Sequence, residues 1–333
     1  MTSQEPALTL DMLMAALRAA AEPTRLRLLA LCGQAELTVT ELTQILGQSQ
    51  PRVSRHLKLL CEAGLLERVP EGTWAFYRVG ERLSGAPLVR AVTALLPSGD
   101  ATLGRDAERL AAVKRARAEA AEAYFRENAP RWSQIRSLYV DEKQVEAAVA
   151  ELLGPRPVGD LLDIGTGTGR LLEVLSGQYR SGLGVDLSRE MLAMARTNLE
   201  RAGIRHAQVR QADMYNLQLP AQSFDAVIVH QVLHYADEPA KAIQEAARVL
   251  RPGGQLIVID FAPHDLEFLR KEHAHRRLGF ADAEVRQWCL AADLEPAPPH
   301  VLPGQPLTVQ VWRAARRAVA TIPVSPVKKI VAA

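Results

Sequence analysis

The sequence predicts two domains of different fold class: an N-terminal α+β domain and a C-terminal α/β domain built on a mostly parallel sheet. Near residue 40, two short amphipathic segments precede two alternating segments that meet at Glu71-Gly72. After residue 160, short apolar runs alternate with helix-forming runs, as in parallel strands joined by helices. At 333 residues, the chain is long enough for each domain to have its own core.

The most informative segment is LLDIGTGTGR, in which an apolar run ends at Asp163 and passes into glycines at 165, 167 and 169. A helix-forming stretch, 171–175, follows directly. This order predicts a strand, a tight turn and the exposed N–H groups of a helix N-terminus. Because glycine adopts positive φ and lets a ligand approach the backbone, the turn predicts a nucleotide-like ligand.

The surrounding residues distinguish between nucleotide ligands. A dinucleotide fingerprint places its third glycine where this chain has Arg170. Asp163 suits an ammonium group better than a pyrophosphate, and Asp186, about twenty residues past the first glycine, is placed to bind both hydroxyls of a ribose. Asp213 follows a third apolar segment, where it is placed to accept from an adenine amino group. Ammonium, ribose and adenine together describe S-adenosylmethionine.

Five motifs follow one another along the second domain: DIGTGTGR, GVDLSREML, ADM, SFDAVIVHQVLHY and RVLRPGGQLIVID. In this order, residues from about Tyr124 to Trp312 resemble the class I S-adenosylmethionine-dependent methyltransferases of small molecules, which have a Rossmann-like, mostly parallel seven-stranded sheet. The resemblance implies that the first loop surrounds the methionine part, the acid of GVD binds the ribose, and the Asp of ADM flanks the adenine. The cofactor residues that it implies are Asp163, Gly165, Thr166, Gly167, Gly169, Asp186, Leu187, Asp213, Met214 and His230.

These motifs do not assign the catalytic residues. His230 is a candidate general base near the methyl group, and His234 is an alternative, because neutral imidazole titrates in the useful range. Many methyl transfers need only a well-positioned nucleophile, so no base is obligatory. Enzymes that methylate DNA bases carry a [DNS]-P-P-[YFW] loop or a cysteine here, whereas this chain has HQVLH. We therefore expect a small molecule as the methyl acceptor.

In the first domain, SQPRVSRHLKLLCEA predicts a helix with one buried face and one basic face. Ser49 suits the N-cap, and Pro51 is tolerated in the first turn. Val53, Leu57 and Leu60 recur at helical spacing, which places them against a core. The helix contains no acidic residue before Leu60, so its outer face is basic.

A shorter helix is predicted over residues 38–46, and it ends at Gly47. The segment LLERVPEGTWAFYRV alternates, turns and alternates again, which predicts a hairpin. Two short helices, a tight turn and a hairpin wing describe a winged helix-turn-helix. The stretch from about Pro6 to Pro97 resembles the ArsR group of winged-helix bacterial repressors, through PTRLRLLALC, ELTVTELTQILGQSQPRVSRHLKLLCEAGLL and the wing.

This second resemblance implies double-stranded operator DNA as a partner, with the second helix in the major groove and the wing tip on phosphates. It also implies a homodimer packed by the flanking helices, here about 8–20 and 87–96. The residues implied to face DNA are Gln48, Ser49, Gln50, Arg52, Ser54, Arg55 and Lys58, with Arg68 and Thr73 in the wing. Because the formal net charge is only +2, attraction to DNA has to come from this local patch.

Metal binding is not expected. Metal-sensing members of the ArsR group carry E-L-C-V-C-[DE]-L, whereas this chain has ELTVTEL, with Thr38 and Thr40 at both thiolate positions. A hydroxyl is a poor ligand for soft metals. Cys32, Cys61 and Cys289 fit no metal-ligand spacing, and Cys61 is expected to be a small core residue.

A histidine-rich segment, 264–280, has no assigned role. On a helix, His273 and His275 point away from each other, which disfavours a metal site formed with His264. The many charges of the segment predict a basic amphipathic helix over the mouth of the site, or a solvated face.

The predicted domains are 1–98 for the winged helix-turn-helix, 99–123 for a helical linker, 124–314 for the methyltransferase and 315–333 for a basic, disordered tail. The alanine-rich, charged composition from Ala101 to Asn128 predicts one continuous helix. Three scattered cysteines and no signal-peptide pattern predict a cytoplasmic location. Asp11 and Arg18 interrupt the apolar N-terminal stretch, so no membrane association is expected.

Three functions are compatible with these motifs. The first is a transcriptional regulator, expected to be a repressor, whose methyltransferase domain methylates a small molecule. The second is a sensor without turnover, in which S-adenosylmethionine or S-adenosylhomocysteine alters operator binding. The third is an enzyme that uses the winged helix only to dimerise, and the acid-free basic helix argues against it. Binding and turnover use the same loop, so the sequence leaves the first two open.

Overall fold

The computed structural model describes residues 9–71, 74–80, 85–128 and 142–318. The N-terminal part is mostly helical, and its three strands form a sheet in the order β1-β3-β2. Its elements are α1 Leu10–Ala20, α2 Pro23–Cys32, β1 Leu37–Thr38, α3 Val39–Leu46, α4 Gln50–Glu62, β2 Leu66–Glu71, β3 Trp74–Val79, α5 Gly85–Ala94 and α6 Ala101–Asn128.

The turn between α3 and α4 is determined by how the two helices end and begin. The Oγ1 of Thr38 accepts a hydrogen bond from the backbone N–H of Glu41 (3.3 Å), and the Glu41 carboxylate accepts one from the N–H of Thr38 (2.8 Å). This reciprocal pair is a capping box. Gly47 ends α3 in the left-handed conformation, with φ of 63°. The N-cap of α4 is Ser49, as predicted, although its side chain makes no capping hydrogen bond.

The buried face of α4 is the one that the sequence predicted. Val53, Leu57 and Leu60 are each 0% exposed, within the core formed with α2 and α3. Strands β2 and β3 pair antiparallel along their whole length and form the predicted wing. The turn residues 72–73 lie outside the described part of the chain.

The long helix α6 is anchored on the winged-helix domain. It is continuous over the residues for which the composition predicted a helix, and its 28 residues span about 40 Å. Leu110 and Val113 are buried in the N-terminal core. The Asp106 carboxylate, 4% exposed, accepts hydrogen bonds of 2.6 and 2.7 Å from the Arg27 guanidinium. The first half of α6 is therefore part of this domain and not a free spacer.

The C-terminal part alternates strands and helices. Its elements are α7 Glu142–Leu153, β4 Val158–Ile164, α8 Arg170–Val174, β5 Tyr179–Asp186, α9 Arg189–Arg201, β6 Ala207–Gln211, β7 Phe224–His230, a 3₁₀ turn Leu233–Tyr235, α10 Pro239–Val249, β8 Leu250–Phe261, α11 Phe268–Glu272, α12 Asp282–Ala291, β9 Leu294–Pro296, β10 His300–Leu302 and β11 Val309–Arg316. Within the described ranges, no helix is both long and apolar enough to cross a membrane.

These strands form one mostly parallel sheet in the order β10-β11-β8-β7-β4-β5-β6, and β9 pairs with β11 beside this path. The five strands from β6 to β8 run parallel, and β11 is antiparallel to β8. Over the described residues, the sheet has eight strands, one more than predicted, because the short β9 adds to the end of β11. The chain continues from β4 to its neighbour β5 on one side of the sheet and from β7 to its neighbour β8 on the other side. The strand order therefore reverses between β4 and β7, and in sheets of this kind a crevice lies there, at the carboxyl ends of the strands.

Two predictions about this domain need correction. Strand β11 continues to Arg316, two residues into the predicted tail, and the residues from 319 onward lie outside the described part. The segment 264–280 is not one helix, because only Phe268–Glu272 is α-helical. Ala274 adopts a positive φ of 55°, which is incompatible with a continuing helix.

Ion pairs join the two domains on the side of the wing. Arg277 Nη1 lies 2.8 Å from Glu36 Oε2, just before β1. Arg78 of β3 lies 3.1 Å from Glu284 of α12. These pairs link residues that are more than two hundred positions apart in the sequence, so they fix one orientation of the two domains.

A second group of ion pairs lies around Asp237. Arg117 of α6 contacts Glu41 of α3 and also lies 3.0 Å from Asp237. Arg276 lies 2.8 Å from the same Asp237 carboxylate oxygen. The four side chains are only 10 to 20% exposed, so water screens them less than a surface pair.

The anchoring of α6 predicts that Asp106→Ala destabilises the protein. Removal of this carboxylate leaves the largely buried Arg27 guanidinium without its ionic partner, which should lower the free energy of unfolding by about 3 kcal/mol. Urea denaturation followed by circular dichroism measures this loss. Glu108→Ala, on an exposed position of the same helix, is the control. Equal unfolding midpoints for the two variants would contradict the anchoring role.

Candidate functional site

The predicted glycine loop connects the end of β4 to α8 at the centre of the sheet. Gly165 adopts a φ of 71°, and a Cβ at this position would lie 2.6 Å from the side chain of Val232. Its N–H and that of Thr166 both donate to the carbonyl of Val185, at 2.8 and 3.0 Å. The chain therefore makes a tight turn that only glycine fits, and the turn is held against β5.

Asp186 closes this loop from the end of β5. One carboxylate oxygen accepts the N–H of Gly167 and the other that of Ser188, each at 2.9 Å. Burial raises the pKa of Asp186, and the hydrogen bonds from Ser188, Gly167 and Leu187 oppose this rise. Each oxygen of a carboxylate has a second acceptor direction. Asp186 therefore has the capacity to accept two ribose hydroxyls while it holds the loop.

Asp163 lies deeper, at the carboxyl end of β4. It is 1% exposed, and its carboxylate accepts a hydrogen bond of 2.7 Å from the hydroxyl of Thr166. Thr166 is itself 6% exposed. This pair places a carboxylate in the wall beneath the glycine loop, where the sequence predicted the partner of an ammonium group.

The predicted adenine residues lie on the other side of Asp186. Asp213 caps a short turn, and its carboxylate accepts the N–H of Tyr215 at 2.9 Å. Met214 packs against the domain core, and Leu187 is 54% exposed at the rim. Gln211, which the sequence reasoning missed, donates to the carbonyl of Leu187 at 2.9 Å and also lines the cavity.

These residues surround a cavity of about 650 Å³. Nine of the ten predicted cofactor residues line it, namely Asp163, Gly165, Thr166, Gly167, Asp186, Leu187, Asp213, Met214 and His230. Gly169 lies outside the cavity wall. It has a φ of 78°, and a Cβ there would lie 3.1 Å from Ala195 of α9, so this glycine serves the packing of two helices.

The opposite wall of the cavity includes part of segment 264–280, which was predicted to lie over the mouth of the site or to be a solvated face, whereas its other members were not predicted from the sequence. It comes from α3, the wing, α6, the 3₁₀ turn, α11 and the segment after α11. Its members include Glu41, Trp74, Arg117, Phe125, Tyr235, Arg270, His275 and Arg276. The residues from α3, the wing and α6 reach the cavity only because the two domains meet there, and no local sequence pattern predicts such a meeting.

The predicted DNA-facing residues lie on the surface of the first domain. Gln48 is half-buried, and its amide nitrogen lies 3.4 Å from the Thr24 hydroxyl. Thr73 lies outside the described residues. The exposed members are Ser49, Gln50, Arg52, Ser54, Arg55 and Lys58 on or before α4, and Arg68 on β2. The structure thus presents one basic helix face, while the role of each residue stays a prediction.

The cysteines are free thiols. Burial raises the pKa of Cys289 to about 11, and burial also raises that of the half-buried Cys61. Cys61 packs against the core of the first domain, as expected. Among the described residues, no group of three or more histidine, cysteine or acidic side chains is arranged to hold a metal ion.

Two families match separate parts of the chain. Residues 162–258 match the family described as "Methyltransferase domain". Residues 22–68 match "Bacterial regulatory protein, arsR family".

Individual relatives match the second domain. A phosphatidylethanolamine N-methyltransferase of Cereibacter sphaeroides is 34% identical over 108 residues, which are 32% of this chain and 53% of that protein. A demethylmenaquinone methyltransferase of Thermus thermophilus is 34% identical over 144 residues, 42% of this chain and 64% of that protein. The chain thus spans about half the length of curated relatives such as these.

Among solved structures, that of the YcgJ protein from Bacillus subtilis matches over 53% of this chain and 100% of the YcgJ chain, with 19% identity and a TM-score of 0.47.

The methyltransferase match includes the glycine loop, and the arsR match includes the basic helix α4. The chain therefore combines an ArsR-family regulatory region at residues 22–68 with a methyltransferase domain of the S-adenosylmethionine-dependent class at residues 162–258.

Proposed function

We propose that this protein is a DNA-binding transcriptional repressor whose second domain methylates a small molecule with S-adenosylmethionine. One observation carries the proposal. Nine of the ten residues predicted for the cofactor line a single cavity, while the basic face of α4 is exposed in the same chain. If one domain were only a scaffold for the other, we would expect its functional residues to be lost, and neither set is lost.

The residues of the cavity fit the proposed cofactor. Asp186 would bind the ribose, the backbone of Gly165 and Gly167 would face the methionine part, and Asp213 with Met214 would flank the adenine. When bound, S-adenosylmethionine supplies an electrophilic methyl group on a sulfonium. The protein's part is to hold the two reactants in contact and to exclude water, which suffices for many displacements of this kind.

The DNA-binding half is proposed to act as a homodimer. On α1, Leu10, Met14 and Leu17 recur at helical spacing and are 74%, 40% and 40% exposed. An apolar stripe of this kind on a helix surface marks an interaction site. A second copy of α1 would cover it and set two α4 helices at a fixed spacing for two half-sites of an operator.

The cofactor assignment predicts that Asp186→Ala weakens binding of S-adenosylmethionine by at least about 100-fold, because two charge-assisted hydrogen bonds to the ribose are lost. Isothermal titration calorimetry measures the change. Glu200→Ala, at an exposed position of α9, should bind like the wild type. Undiminished affinity in Asp186→Ala would refute the assignment, and no binding to the wild type would refute the proposed function.

The DNA assignment predicts that the double variant Arg55→Ala/Lys58→Ala binds DNA more weakly. The slope of log affinity against log salt concentration should fall by about 1.8, because two phosphate contacts are removed. Fluorescence anisotropy with a labelled duplex from upstream of the gene provides the measurement. Affinity for S-adenosylmethionine should stay unchanged.

The matched control is Arg196→Ala/Arg201→Ala, which removes two exposed arginines from α9. It should leave the salt slope as in the wild type. An equal decrease in both double variants would show that general charge, and not the α4 face, attracts the DNA.

A further inference from the structure

The cavity extends beyond the predicted cofactor residues to a buried histidine that these motifs do not include. His275 is 7% exposed and lines the cavity. Its Nδ1 is fully buried and has no hydrogen-bond partner among the residues that the structure describes. Because a ligand cannot reach an atom without accessible surface, the ring nitrogen of His275 that is able to meet a ligand in the cavity is Nε2, which makes no hydrogen bond to the residues that the structure describes.

The His275 ring is held by a buried pair behind it. Its ring centroid lies 4.1 Å from that of His234, and the two rings are stacked at 28°. His234 Nδ1 lies 2.8 Å from Asp260 Oδ1, and both side chains are at most 3% exposed. The same carboxylate oxygen accepts the N–H of Phe261 at 2.8 Å. His234 and Asp260 therefore act as positioning residues, and His275 is the member of the cluster that reaches the cavity.

Aromatic side chains line the space in front of His275. The ring of Tyr235 lies 5.3 Å from that of His275, and the ring of Phe125 lies 4.7 Å from Tyr235 in an edge-on arrangement. Trp74, contributed by the wing, also lines the cavity, and the Arg270 guanidinium lies 4.6 Å from its ring centroid. Flat apolar surfaces of this kind fit a planar ring.

The charges around this chamber are already compensated. Arg117 and Arg276 both pair with Asp237, and Arg117 also pairs with Glu41. The third arginine of the chamber, Arg270, lies 3.6 Å from Glu267. An anionic ligand would have to compete with these carboxylates for the arginines. An ammonium ligand would have to compete with the arginines for the carboxylates. An uncharged ligand avoids both losses.

We propose that this chamber is the methyl-acceptor subsite, and that it takes a small, uncharged aromatic hydroxy compound whose O–H donates to Nε2 of His275. The proposal rests on the proposed function, since it requires S-adenosylmethionine in the same cavity. It makes His275 the catalytic base and gives the wing, through Trp74, a part in substrate binding.

The phenol oxygen forms the O–CH₃ bond, the S–CH₃ bond breaks with its electron pair going to sulfur, and the O–H proton moves to Nε2 of His275. One positive charge disappears from the sulfonium and one appears on the imidazole, so no net charge is created in the buried site. The proton then leaves to water, and the products are the aryl methyl ether and S-adenosylhomocysteine.

The surroundings of His275 keep it neutral before the reaction. Burial lowers its pKa well below the ordinary value, and His234, His264, His273 and Arg270 lower it further. Among the residues that the structure describes, Tyr235 is the one further titratable side chain in ring contact with His275. A neutral imidazole is the form able to accept the hydrogen bond and then the proton.

Two His275 variants test the proposal, with phenol, catechol and 2-naphthol as acceptors and tritium-labelled methyl transfer as the readout. His275→Phe keeps a stacked ring but removes the acceptor nitrogen, and kcat should fall by at least about 100-fold. His275→Asn keeps a hydrogen-bond acceptor but no base, so KM should stay near the wild-type value while kcat falls. The dissociation constant for S-adenosylmethionine should be unchanged in both.

Two further variants complete the design. Trp74→Ala should raise the KM for 2-naphthol about tenfold by removing one wall, with little effect on cofactor binding. His300→Phe, on the exposed first residue of β10, should behave like the wild type. If His275→Phe does not fold, the kcat of His275→Asn tests the role as base and the KM of Trp74→Ala tests the acceptor subsite.

The outcomes distinguish failure of the acceptor subsite from failure of the proposed function. A wild type that binds S-adenosylmethionine but methylates none of the phenols, or that prefers aniline or 4-hydroxybenzoate, overturns the acceptor subsite and leaves the proposed function standing. Wild-type kcat in His275→Asn overturns the role as base. A wild type that does not bind S-adenosylmethionine overturns both.

Discussion

The contact on which the architecture depends is that of Arg117 with Glu41 and Asp237, because it joins the long helix, the helix-turn-helix and the rim of the cavity. Glu41 has two tasks, since the same carboxylate caps α3 through Thr38. Burial opposes its ionisation, but Arg117 and Arg276 outweigh burial, and the pKa of Glu41 lies below its ordinary value. The carboxylate is therefore charged at neutral pH. Loss of Arg117 would leave the largely buried Glu41 carboxylate with only the more distant Arg276, 4.0 Å away, and such a loss costs more than the pair itself contributes.

As a consequence, the two domains share one wall. Glu41 and Trp74 belong to the winged-helix domain, yet they line the same cavity as Asp186. A molecule that fills the cavity therefore contacts both domains at once. Such contact is a physical requirement for communication between methylation and DNA binding, but a ligand shifts an equilibrium only by its difference in affinity for two conformations. The anchored α6 makes this arrangement possible, because a flexible tether would not hold the wing against the cavity.

The features that the sequence predicted well are those with a local cause. Leu57 and its neighbours follow from helical periodicity, and the glycine loop follows from the φ that its turn requires. Gly169 shows the limit of motif reasoning, because a glycine that packs against Ala195 and one that faces a ligand look alike in sequence. The helix predicted for 264–280 is wrong, because only Phe268–Glu272 is helical and Ala274 adopts a left-handed conformation that a continuing helix does not allow. The extra strand β9 was missed because three residues are too few to form a recognisable pattern.

The sequence by itself determined the two domain classes, the cofactor loop with its carboxylates and the basic helix face, since these depend on residues within a few turns of one another. Only the tertiary structure decided that Trp74, Arg117 and His275 line a common cavity. These residues are far apart in the chain and come together through the docking of two separate cores and the ion pairs between them. No periodicity encodes such a meeting. The chemistry at its centre, a neutral buried imidazole facing aromatic walls, therefore becomes visible only when the domains are seen in contact.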